Sequence, residues 1–323
     1  MSVTVVGEVI LDRVINGTST ADVLGGSAAN TALALVRRGQ PADLRARFGS
    51  DANGKFLKQK ATSFGIDVSN SVDAIEPATV VEATIDELGI PAYKFFMDGT
   101  ADWNWTANEI DKPLPENTQA VVLGSYASIV DPAFPVLYEW VLQQKHQGVL
   151  FCFDPNIRPT AIEQLNFATE ARQRIRKWMN VADVLKVSDE DLAWFEPEQS
   201  PEDVAIKLST QGPALVVLTA GAGGAAAYSA GSLICHVSAP KVVIVDTVGA
   251  GDTLMAWLVA GIIETPGLDF RDSSEIARIL DSAVKAASYT STRRGCDPVT
   301  SAELAEFEAI EPAEFNDSQS SGD

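Results

Sequence analysis

Residues 246–262 join two different structural patterns, and this junction restricts the fold most strongly. The four residues before it, 242–245, are Val-Val-Ile-Val, a β-branched run typical of a strand. From Leu254 to Ile262 the apolar residues recur at helical spacing. Gly-Ala-Gly-Asp at 249–252 lies between the two patterns. The sequence therefore predicts a strand, a tight turn of small residues and a helix in direct succession.

A helix that begins at such a turn offers a site for anions. Its first amide groups have no partner within the helix, and the aligned peptide dipoles leave partial positive charge at this end. Gly249, Ala250 and Gly251 are small enough for a phosphate to approach their backbone amides. Asp252 has two interpretations on these residues alone. It is either a carboxylate that caps the helix or a base that takes a proton from an attacking hydroxyl beside a bound phosphoryl group.

A second glycine turn stands near the N-terminus. Residues 2–11 form a hydrophobic run of the kind buried in an α/β sheet, and Asp12 is predicted to end that strand. Carboxyl ends of strands face the ligand crevice in open α/β sheets, although an Asp in this position is often only part of a turn. Gly25 and Gly26 precede a helix rich in small residues that contains Asn30. The double glycine permits close approach of the backbone to a ligand.

These two turns carry a resemblance to a known family. The segment 246–252, Asp-Thr-Val-Gly-Ala-Gly-Asp, resembles the C-terminal signature D-T-x-G-A-G-D of the ribokinase-like PfkB carbohydrate kinases. The segment 25–30, Gly-Gly-Ser-Ala-Ala-Asn, resembles their N-terminal signature G-G-x-x-x-N. The residues that the resemblance assigns are Asp252 as catalytic base, Gly249, Ala250 and Gly251 with it as an anion hole, and Asp12, Gly25, Gly26 and Asn30 around the substrate.

Weaker resemblances follow at the ends of predicted strands. Residues 154–158, Asp-Pro-Asn-Ile-Arg, resemble the family's D-x-N-x-R, in which Arg158 contacts the transferring phosphoryl group or the sugar. An ordinary ion pair between Arg158 and Asp154 explains the same residues equally well. Many members read N-x-x-E after the next strand, where this chain has Ser188 and Asp191. The resemblance thus implies that Asp191 helps to organise water around Mg²⁺, and that no side chain binds the metal directly.

The nucleotide side of the implied site consists of Lys186, Ser188, Thr219, Gly221 and Gly224. The last three resemble T-x-G-x-x-G, which borders the nucleotide phosphates in the family, although a β-turn in a hairpin explains the glycines as well. In relatives a C-terminal loop binds a monovalent cation through backbone carbonyls. The corresponding residues here are Asp246, Val248 and Gly295. The implied cofactors are ATP and Mg²⁺, with K⁺ as the monovalent ion.

Strands and helices alternate from about residue 120 to residue 219, which predicts parallel βαβ units in a three-layer α/β/α sandwich with a mostly parallel central sheet. A hairpin with a turn near Gly89 interrupts this pattern, and the family resemblance makes it part of a small β-sheet lid over the sugar. We expect one kinase domain over residues 1–311, with lid segments at about 12–24 and 71–107. Residues 312–323 are expected to form a disordered, acidic, polar tail.

The end of the hairpin bears on substrate choice. Thr-Ala-Asp at 100–102 resembles the S-A-D of fructokinase-like members, which makes Asp102 a further substrate-binding candidate. The Tyr-Arg that usually precedes it is Phe96-Met97 here, so Met97 cannot supply the basic residue used for acidic sugars. Trp103 and Trp105 can stack on a sugar ring or belong to the apolar core of the lid.

One phosphate-loop pattern is rejected. Residues 49–55 satisfy most of it, but Phe56 stands where a Ser or Thr must bind Mg²⁺. The residues before it, Leu-Arg-Ala-Arg-Phe at 44–48, are too charged for the buried strand that the motif requires. We expect a surface turn that leads into a helix over 54–64.

Composition restricts the partners. The chain has 44 acidic and 24 basic side chains and a net charge of −20, which argues against nucleic acid as a partner. A targeting segment or a charge-free apolar run of about 18 residues is not found, so we expect no membrane partner and a cytoplasmic location. The three cysteines lack the spacing of a disulfide framework or a zinc site.

The family resemblance implies ATP-dependent phosphorylation of a primary hydroxyl of a sugar. Fructose is the first choice, because residues 25–30 lack the Lys of ribokinases and residues 293–298 look fructokinase-like. Ribose, a 2-keto-3-deoxy sugar acid and a nucleoside are alternatives within the family. A protein that binds sugar or nucleotide without catalysis is an alternative of another class. Relatives dimerise through the lid, so a homodimer is a further expectation.

Overall fold

An eight-stranded sheet forms the centre of the chain. The structure is a computed structural model and describes residues 1–85, 91–164 and 166–314. The strands, in spatial order, are β14 (Ser232–Val237), β13 (Ala225–Ser229), β12 (Leu215–Thr219), β11 (Val184–Ser188), β10 (Leu150–Asp154), β9 (Thr118–Gly124), β1 (Ser2–Val6) and β4 (Ala42–Arg45). All neighbours are parallel except β12–β13 and β13–β14, which are antiparallel.

Helices cover both faces of this sheet. On one face lie α1 (Ser27–Arg38), α2 (Ala52–Ser63), α9 (Ala250–Ile263), α10 (Ser273–Thr290) and α11 (Ser301–Glu314). On the other lie α3 (Ala107–Ile110), α4 (Ala133–His146), α5 (Pro159–Gln164), α6 (Ala168–Val181), α7 (Asp189–Phe195) and α8 (Pro201–Leu208). Adjacent residues of β12 face opposite layers, since Val216 packs in one core cluster and Val217 in the other. Both faces of the sheet are therefore buried, which confirms the predicted three-layer α/β/α sandwich.

A second, four-stranded sheet lies beside the sandwich. We call it the lid sheet: its order is β3 (Ser19–Gly25), β2 (Ile10–Asn16), β7 (Val80–Ile85) and β8 (Pro91–Phe96). Strands β2 and β7 are parallel, and the two outer pairs are antiparallel. The turn predicted near Gly89 lies in residues 86–90, outside the described part of the chain. A third, two-stranded sheet pairs β5 (Arg47–Phe48) with β6 (Val72–Asp73).

The hydrophobic run 2–11 is not one strand, and the predicted position of Asp12 was wrong. The run breaks at Gly7, which has a φ of 154° and lies so close to α1 that a Cβ would be 2.9 Å from the Cβ of Ala28. After this break the chain enters the lid sheet, where Asp12 pairs with Val23. Asp12 is thus an internal lid residue and does not end a strand of the central sheet.

The strand predicted at 242–245 is also absent. The amides of Val245 and Asp246 donate to the carbonyl of Ser291 at the end of α10 (2.9 and 3.2 Å), not to a neighbouring strand. Val243 is 82% exposed. β-branched residues favour strands because they pack well on a half-buried pleated surface. Val243, Ile244 and Val245 are all more than half exposed and have no such surface beneath them, so the local preference has no effect.

The charged segment 44–48 lies in buried strands, contrary to the expectation. Arg45 ends β4 and is 1% exposed. Its guanidinium donates to the carbonyls of Ile110, Lys112 and Pro113 at 3.0, 2.7 and 2.7 Å, and its Nε donates to Asp43 at 3.2 Å. A buried charge is tolerated when its donors are satisfied in this way. The helix that follows is capped by Asp51, which accepts a bond from the amide of Gly54 at 2.9 Å.

Three further expectations concern the C-terminal tail, the two tryptophans after the hairpin and membrane-spanning helices. Helix α11 continues to Glu314 and so includes the first residues of the tail predicted from Pro312, whereas residues 315–323 lie outside the described part. Trp103 and Trp105 are 8% and 1% exposed in the core of the sandwich, not in the lid. Within the described ranges, none of the helices has the length and apolar character needed to span a membrane.

Candidate active site

The two glycine turns of the sequence meet at one carboxylate. Asp252 lies in the first turn of α9 and is 7% exposed. Ser27 Oγ donates to its Oδ1 at 2.6 Å, and Asn30 Nδ2 donates to its Oδ2 at 2.9 Å. Both donors lie in the first residues of α1, the helix whose N-cap is Gly26. The hydrogen bonds therefore bring the candidate sugar-binding segment against the candidate base.

Backbone shape at the start of α9 requires its glycines. Gly249 is the N-cap with a φ of 78°, and a Cβ there would lie 2.3 Å from Cys296 Sγ. A Cβ on Gly251 would lie 3.0 Å from Lys186 Nζ, so an ammonium group stands beside this turn. The Ala250 amide donates to the Thr247 carbonyl at 3.2 Å. The amides of Gly251 and Asp252 have no carbonyl of this helix four residues before them, which leaves them for an anion.

Lys186 forms a buried ion pair with Asp154, Nζ to Oδ2 at 2.7 Å, with both side chains 5% exposed. Burial raises the pKa of Asp154 to about 6, although Lys186 opposes this effect. Burial alone would lower the pKa of Lys186, but the carboxylates of Asp154, Asp191 and Asp252 outweigh it and raise this pKa. The ammonium therefore keeps its proton beside Gly251.

Arg158 does not pair with Asp154. Its side chain is exposed, and Nη1 donates to the carbonyl of Ile157 at 3.3 Å. Its charge acts instead on Asp12. Burial raises the pKa of Asp12 to about 6, although the positive charge of Arg158 opposes this rise. Of the two interpretations of Arg158, the structure contradicts the simple Asp154 pair, and contact with the sugar or the phosphoryl group stays a prediction.

The double glycine fits tightly between the lid sheet and α1. A Cβ on Gly25 would lie 1.9 Å from Asp12 Oδ2, so a larger residue would push this carboxylate aside. Gly26 is the N-cap of α1 with a φ of 97°, and a Cβ there would lie 2.5 Å from the carbonyl oxygen of Glu8. Asp12, Gly25, Gly26 and Asn30 are thus brought together near Asp252, as the sequence predicted.

Asp102 lies beneath these residues, not among them. It is fully buried, and its Oδ1 accepts a bond from the amide of Val9 at 2.8 Å. Its Oδ2 accepts a short hydrogen bond from the hydroxyl of Thr79. With both oxygens occupied and no exposed surface, the carboxylate does not face the pocket in this structure. It is therefore no direct substrate ligand here, in contrast to the sequence-based prediction.

Ser188 and Asp191 form a capping box at the start of α7. The Asp191 amide donates to Ser188 Oγ and the Ser188 amide donates to Asp191 Oδ2, both at 3.0 Å. Asp191 Oδ1 accepts from the Ile157 amide at 2.7 Å, which links the ends of β10 and β11. The structure contains no cluster of three or more His, Cys, Asp or Glu side chains able to hold a metal ion within residues 1–85, 91–164 and 166–314.

The remaining candidates lie at the other strand ends. Thr219 ends β12, and Gly221 begins a 3₁₀ turn that leads into the antiparallel strand β13. Gly224 has a φ of 89°, and a Cβ there would lie 2.0 Å from the carbonyl oxygen of Val237. The hairpin alone therefore requires this glycine, whether or not the loop binds a nucleotide.

Asp246 connects the turn before α9 with the C-terminal loop. Its Oδ1 accepts from the Val248 amide at 3.0 Å, and its Oδ2 accepts from the Gly295 amide at 2.8 Å. The three residues proposed for a monovalent cation are therefore neighbours. The carbonyl of Gly295 also accepts from the Asp297 amide at 3.0 Å, which leaves it one further lone pair.

Two site residues were missed by the sequence analysis. Ser27 lies inside the N-terminal signature, but its bond to Asp252 spans 225 residues of sequence and no local pattern indicates it. Cys296 packs its sulfur against Gly249, and burial raises the pKa of its thiol well above the usual value. It is therefore a neutral packing residue beside the anion site.

A helix N-terminus with open amides, a lysine and a carboxylate held by two donors are features that a phosphoryl-transfer site requires. The sequence matches the pfkB family carbohydrate kinases over residues 2–302. The chain belongs to this family and is a carbohydrate kinase.

Similar proteins agree with this assignment. A fructokinase from Rhizobium leguminosarum bv. trifolii is 30% identical over 261 residues, 79% of this chain and 78% of the relative. Fructokinase-1 from Zea mays is 28% identical over 319 residues, 95% of this chain and 97% of the relative. Fructokinase from Vibrio cholerae O395, with fructose, ADP and calcium bound, has a TM-score of 0.80 at 24% identity, covering 95% of this chain and 99% of that one.

The buried Lys186–Asp154 pair yields a stability prediction. Lys186→Met should lower the free energy of unfolding by about 3 kcal/mol, because it leaves the carboxylate of Asp154 buried without its cation. The double variant Lys186→Met with Asp154→Asn removes both charges and should recover most of this loss. Urea unfolding of the three proteins measures the difference. Equal stability of the single and double variants would contradict the conclusion that Lys186 stabilises the buried charge of Asp154.

Proposed function

We propose that this kinase transfers the γ-phosphoryl group of ATP to a primary hydroxyl of a sugar, with Asp252 as the base. One observation carries the proposal: the carboxylate at the anion-binding end of α9 is held by Ser27 and Asn30 of the candidate sugar segment. A hydroxyl bound beside Asn30 would thus lie between the group that takes its proton and the amides that hold the phosphoryl group.

Other residues of the site have electrostatic roles. The open amides of Gly251 and Asp252, at the positive end of the helix dipole, stabilise charge that develops on the phosphoryl oxygens. Lys186 adds a full positive charge next to the same turn. Arg158, which is exposed near Asp12, can donate to the sugar or to the phosphoryl group. The lid sheet excludes water, which would otherwise compete as acceptor.

The residues present fit the implied ions. Mg²⁺, when bound, neutralises charge on the triphosphate. Asp191 uses each oxygen once on a backbone amide and retains lone pairs for water around such an ion. Asp246 holds the backbone of Val248 and Gly295 close together, as a carbonyl site for K⁺ requires. We include ATP, Mg²⁺ and K⁺ in the proposal on these grounds.

Fructose is the proposed acceptor. The relatives from Rhizobium leguminosarum and Zea mays, both named fructokinase, support it, as do residues 25–30 and 293–298 of the sequence. Met97 packs against the core of the sandwich and brings no positive charge to the pocket, which disfavours an acidic sugar. A homodimer through the lid sheet fits the exposed residues 19–22 of β3.

A panel of acceptors tests the function and its substrate. Purified protein with ATP and Mg²⁺ is offered fructose, ribose, 2-keto-3-deoxygluconate and adenosine, and ADP release is followed by a coupled assay. We expect the highest kcat/KM with fructose. A higher kcat/KM for another acceptor would overturn fructose as the proposed substrate. Sugar binding in calorimetry without ADP release with any acceptor would overturn the proposed phosphorylation activity.

Asp252→Asn separates catalysis from binding. The amide can still accept from one α1 donor and keeps the size of the side chain, but it cannot take a proton. We expect kcat to fall by about 10²- to 10⁴-fold, with ATP and sugar affinities in calorimetry nearly unchanged. Asp73→Asn, in the exposed Lys58–Asp73 pair outside the lid sheet, is a control expected to keep wild-type kcat. Full turnover in Asp252→Asn would exclude Asp252 as the base.

The pKa of Asp12 predicts a pH dependence. An ionised Asp12 accepts hydrogen bonds from sugar hydroxyls, and burial raises its pKa to about 6. Sugar kcat/KM should therefore be level above this pH and fall by about tenfold per unit below it. Arg158→Gln removes the cation that lowers this pKa and should shift the midpoint to higher pH. An unchanged midpoint in this variant would show that another group governs the profile.

A further inference from the structure

We propose that Asp102 is a positioning residue that fixes the lid sheet to the sandwich and so sets the sugar side of the site. The inference rests on the proposed function for its kinetic consequence, but not for its structural one. It gives a role to a fully buried carboxylate that does not face the pocket.

Asp102 sits where the chain passes between the sandwich and the lid sheet. Val9, whose amide donates to Oδ1 at 2.8 Å, immediately precedes β2. Thr79, whose hydroxyl donates to Oδ2, immediately precedes β7. Asp102 itself lies in the 3₁₀ turn Ala101–Trp103 after β8. One carboxylate thus connects the ends of three of the four lid strands.

Neighbouring bonds reinforce this junction. Thr100 Oγ1 lies 2.7 Å from the Thr79 hydroxyl and 2.9 Å from the Met97 carbonyl, and its single proton can be donated to either of them. The Leu11 amide donates to the Thr79 carbonyl at 2.9 Å, which ties β2 to the start of β7. Thr79, Thr100 and Asp102 are each less than 5% exposed, so water does not replace a lost partner easily.

The junction reaches the pocket through β2. Asp12 lies in β2, three residues beyond Val9, and its carboxylate lies against Gly25, where β3 returns to α1. Asn30 of α1 in turn holds Asp252. If the Val9 end of β2 is released, Asp12 loses its fixed distance from Asp252, whereas the start of α9 stays in the sandwich. Sugar binding should then suffer more than nucleotide binding.

Asp102→Ala tests the role against a matched control. The control is Asp43→Ala: Asp43 is a buried carboxylate, 3% exposed, that accepts from Thr4, Arg45 and Asn70 in the sandwich, away from the lid sheet. Both variants leave buried donors unsatisfied, so both should lose stability. Asp102→Asn can accept from Val9 and donate to Thr79, and it should restore wild-type behaviour.

The structural readout is hydrogen–deuterium exchange of the amides in β2 and β7. We expect at least about tenfold faster exchange there in Asp102→Ala and no such change in Asp43→Ala, because only the former releases the lid. Equal exchange in the two variants overturns the proposal. This comparison needs no activity, so it remains decisive even if the acceptor panel shows that the proposed function is wrong.

The kinetic readout compares the KM for the sugar with the affinity for ATP. Asp102→Ala should raise the sugar KM by about tenfold or more, with little change in ATP affinity, and should release more ADP than sugar phosphate because water reaches the phosphoryl group. An unchanged sugar KM, together with equal amounts of ADP and sugar phosphate, would overturn the positioning role. If Asp102→Ala does not fold, Thr79→Val removes one of the two bonds while retaining the side-chain shape, and the same readouts apply in the same direction.

Discussion

The active site depends on the two hydrogen bonds that Ser27 and Asn30 of α1 donate to Asp252 of α9. They join residues that are 225 and 222 positions apart in sequence, and they can form only if the central sheet places the N-termini of the two helices side by side. The small residues of α1 and the uniformly apolar α9 serve this requirement, because they let both helices pack closely on one face of the sheet. The order of the strands therefore determines where the chemistry occurs.

The same site contains several buried charged groups, and burial opposes their ionisation. Asp154, Asp191 and Asp252 all act on the buried ammonium of Lys186, and burial opposes ionisation of Asp154. The arrangement is stable because each carboxylate has specific donors: Lys186 for Asp154, backbone amides for Asp191, and two α1 side chains for Asp252. These bonds fix the groups before any substrate binds. A site arranged in advance does not have to reorganise its dipoles as charge moves in the reaction.

The sequence predicted the layers of the fold, because these follow from the strong alternation of strand and helix patterns. The family resemblance of two glycine-rich segments implied that Asn30 and Asp252 belong to one site, and the structure joins them by a hydrogen bond. Prediction from the sequence failed where a contact distant in sequence decides the local structure. The run 2–11 breaks because Gly7 meets α1, and Arg45 is buried because three carbonyls from residues 110–113 surround its guanidinium. The β-branched run 242–245 forms no strand, and the amides of Val245 and Asp246 donate to Ser291 at the end of α10. Such partners cannot be read from a local window, so Asp12 was assigned to the wrong sheet and Asp102, which is fully buried, was assigned to the surface of the sugar site.

These placements separate the reaction from the choice of substrate. Asp252, which is the proposed base, the open amides and Lys186 all belong to the sandwich, where buried contacts on both faces of the sheet hold them. Asp12 belongs to the lid sheet, which is joined to the sandwich at a few strand ends and is more exposed. A change in the lid can therefore alter which sugar fits without moving Asp252, provided that the lid still closes at the same place. The buried bonds of Asp102 to Val9 and Thr79 meet this condition, because they fix the position of the lid without contributing to the pocket surface.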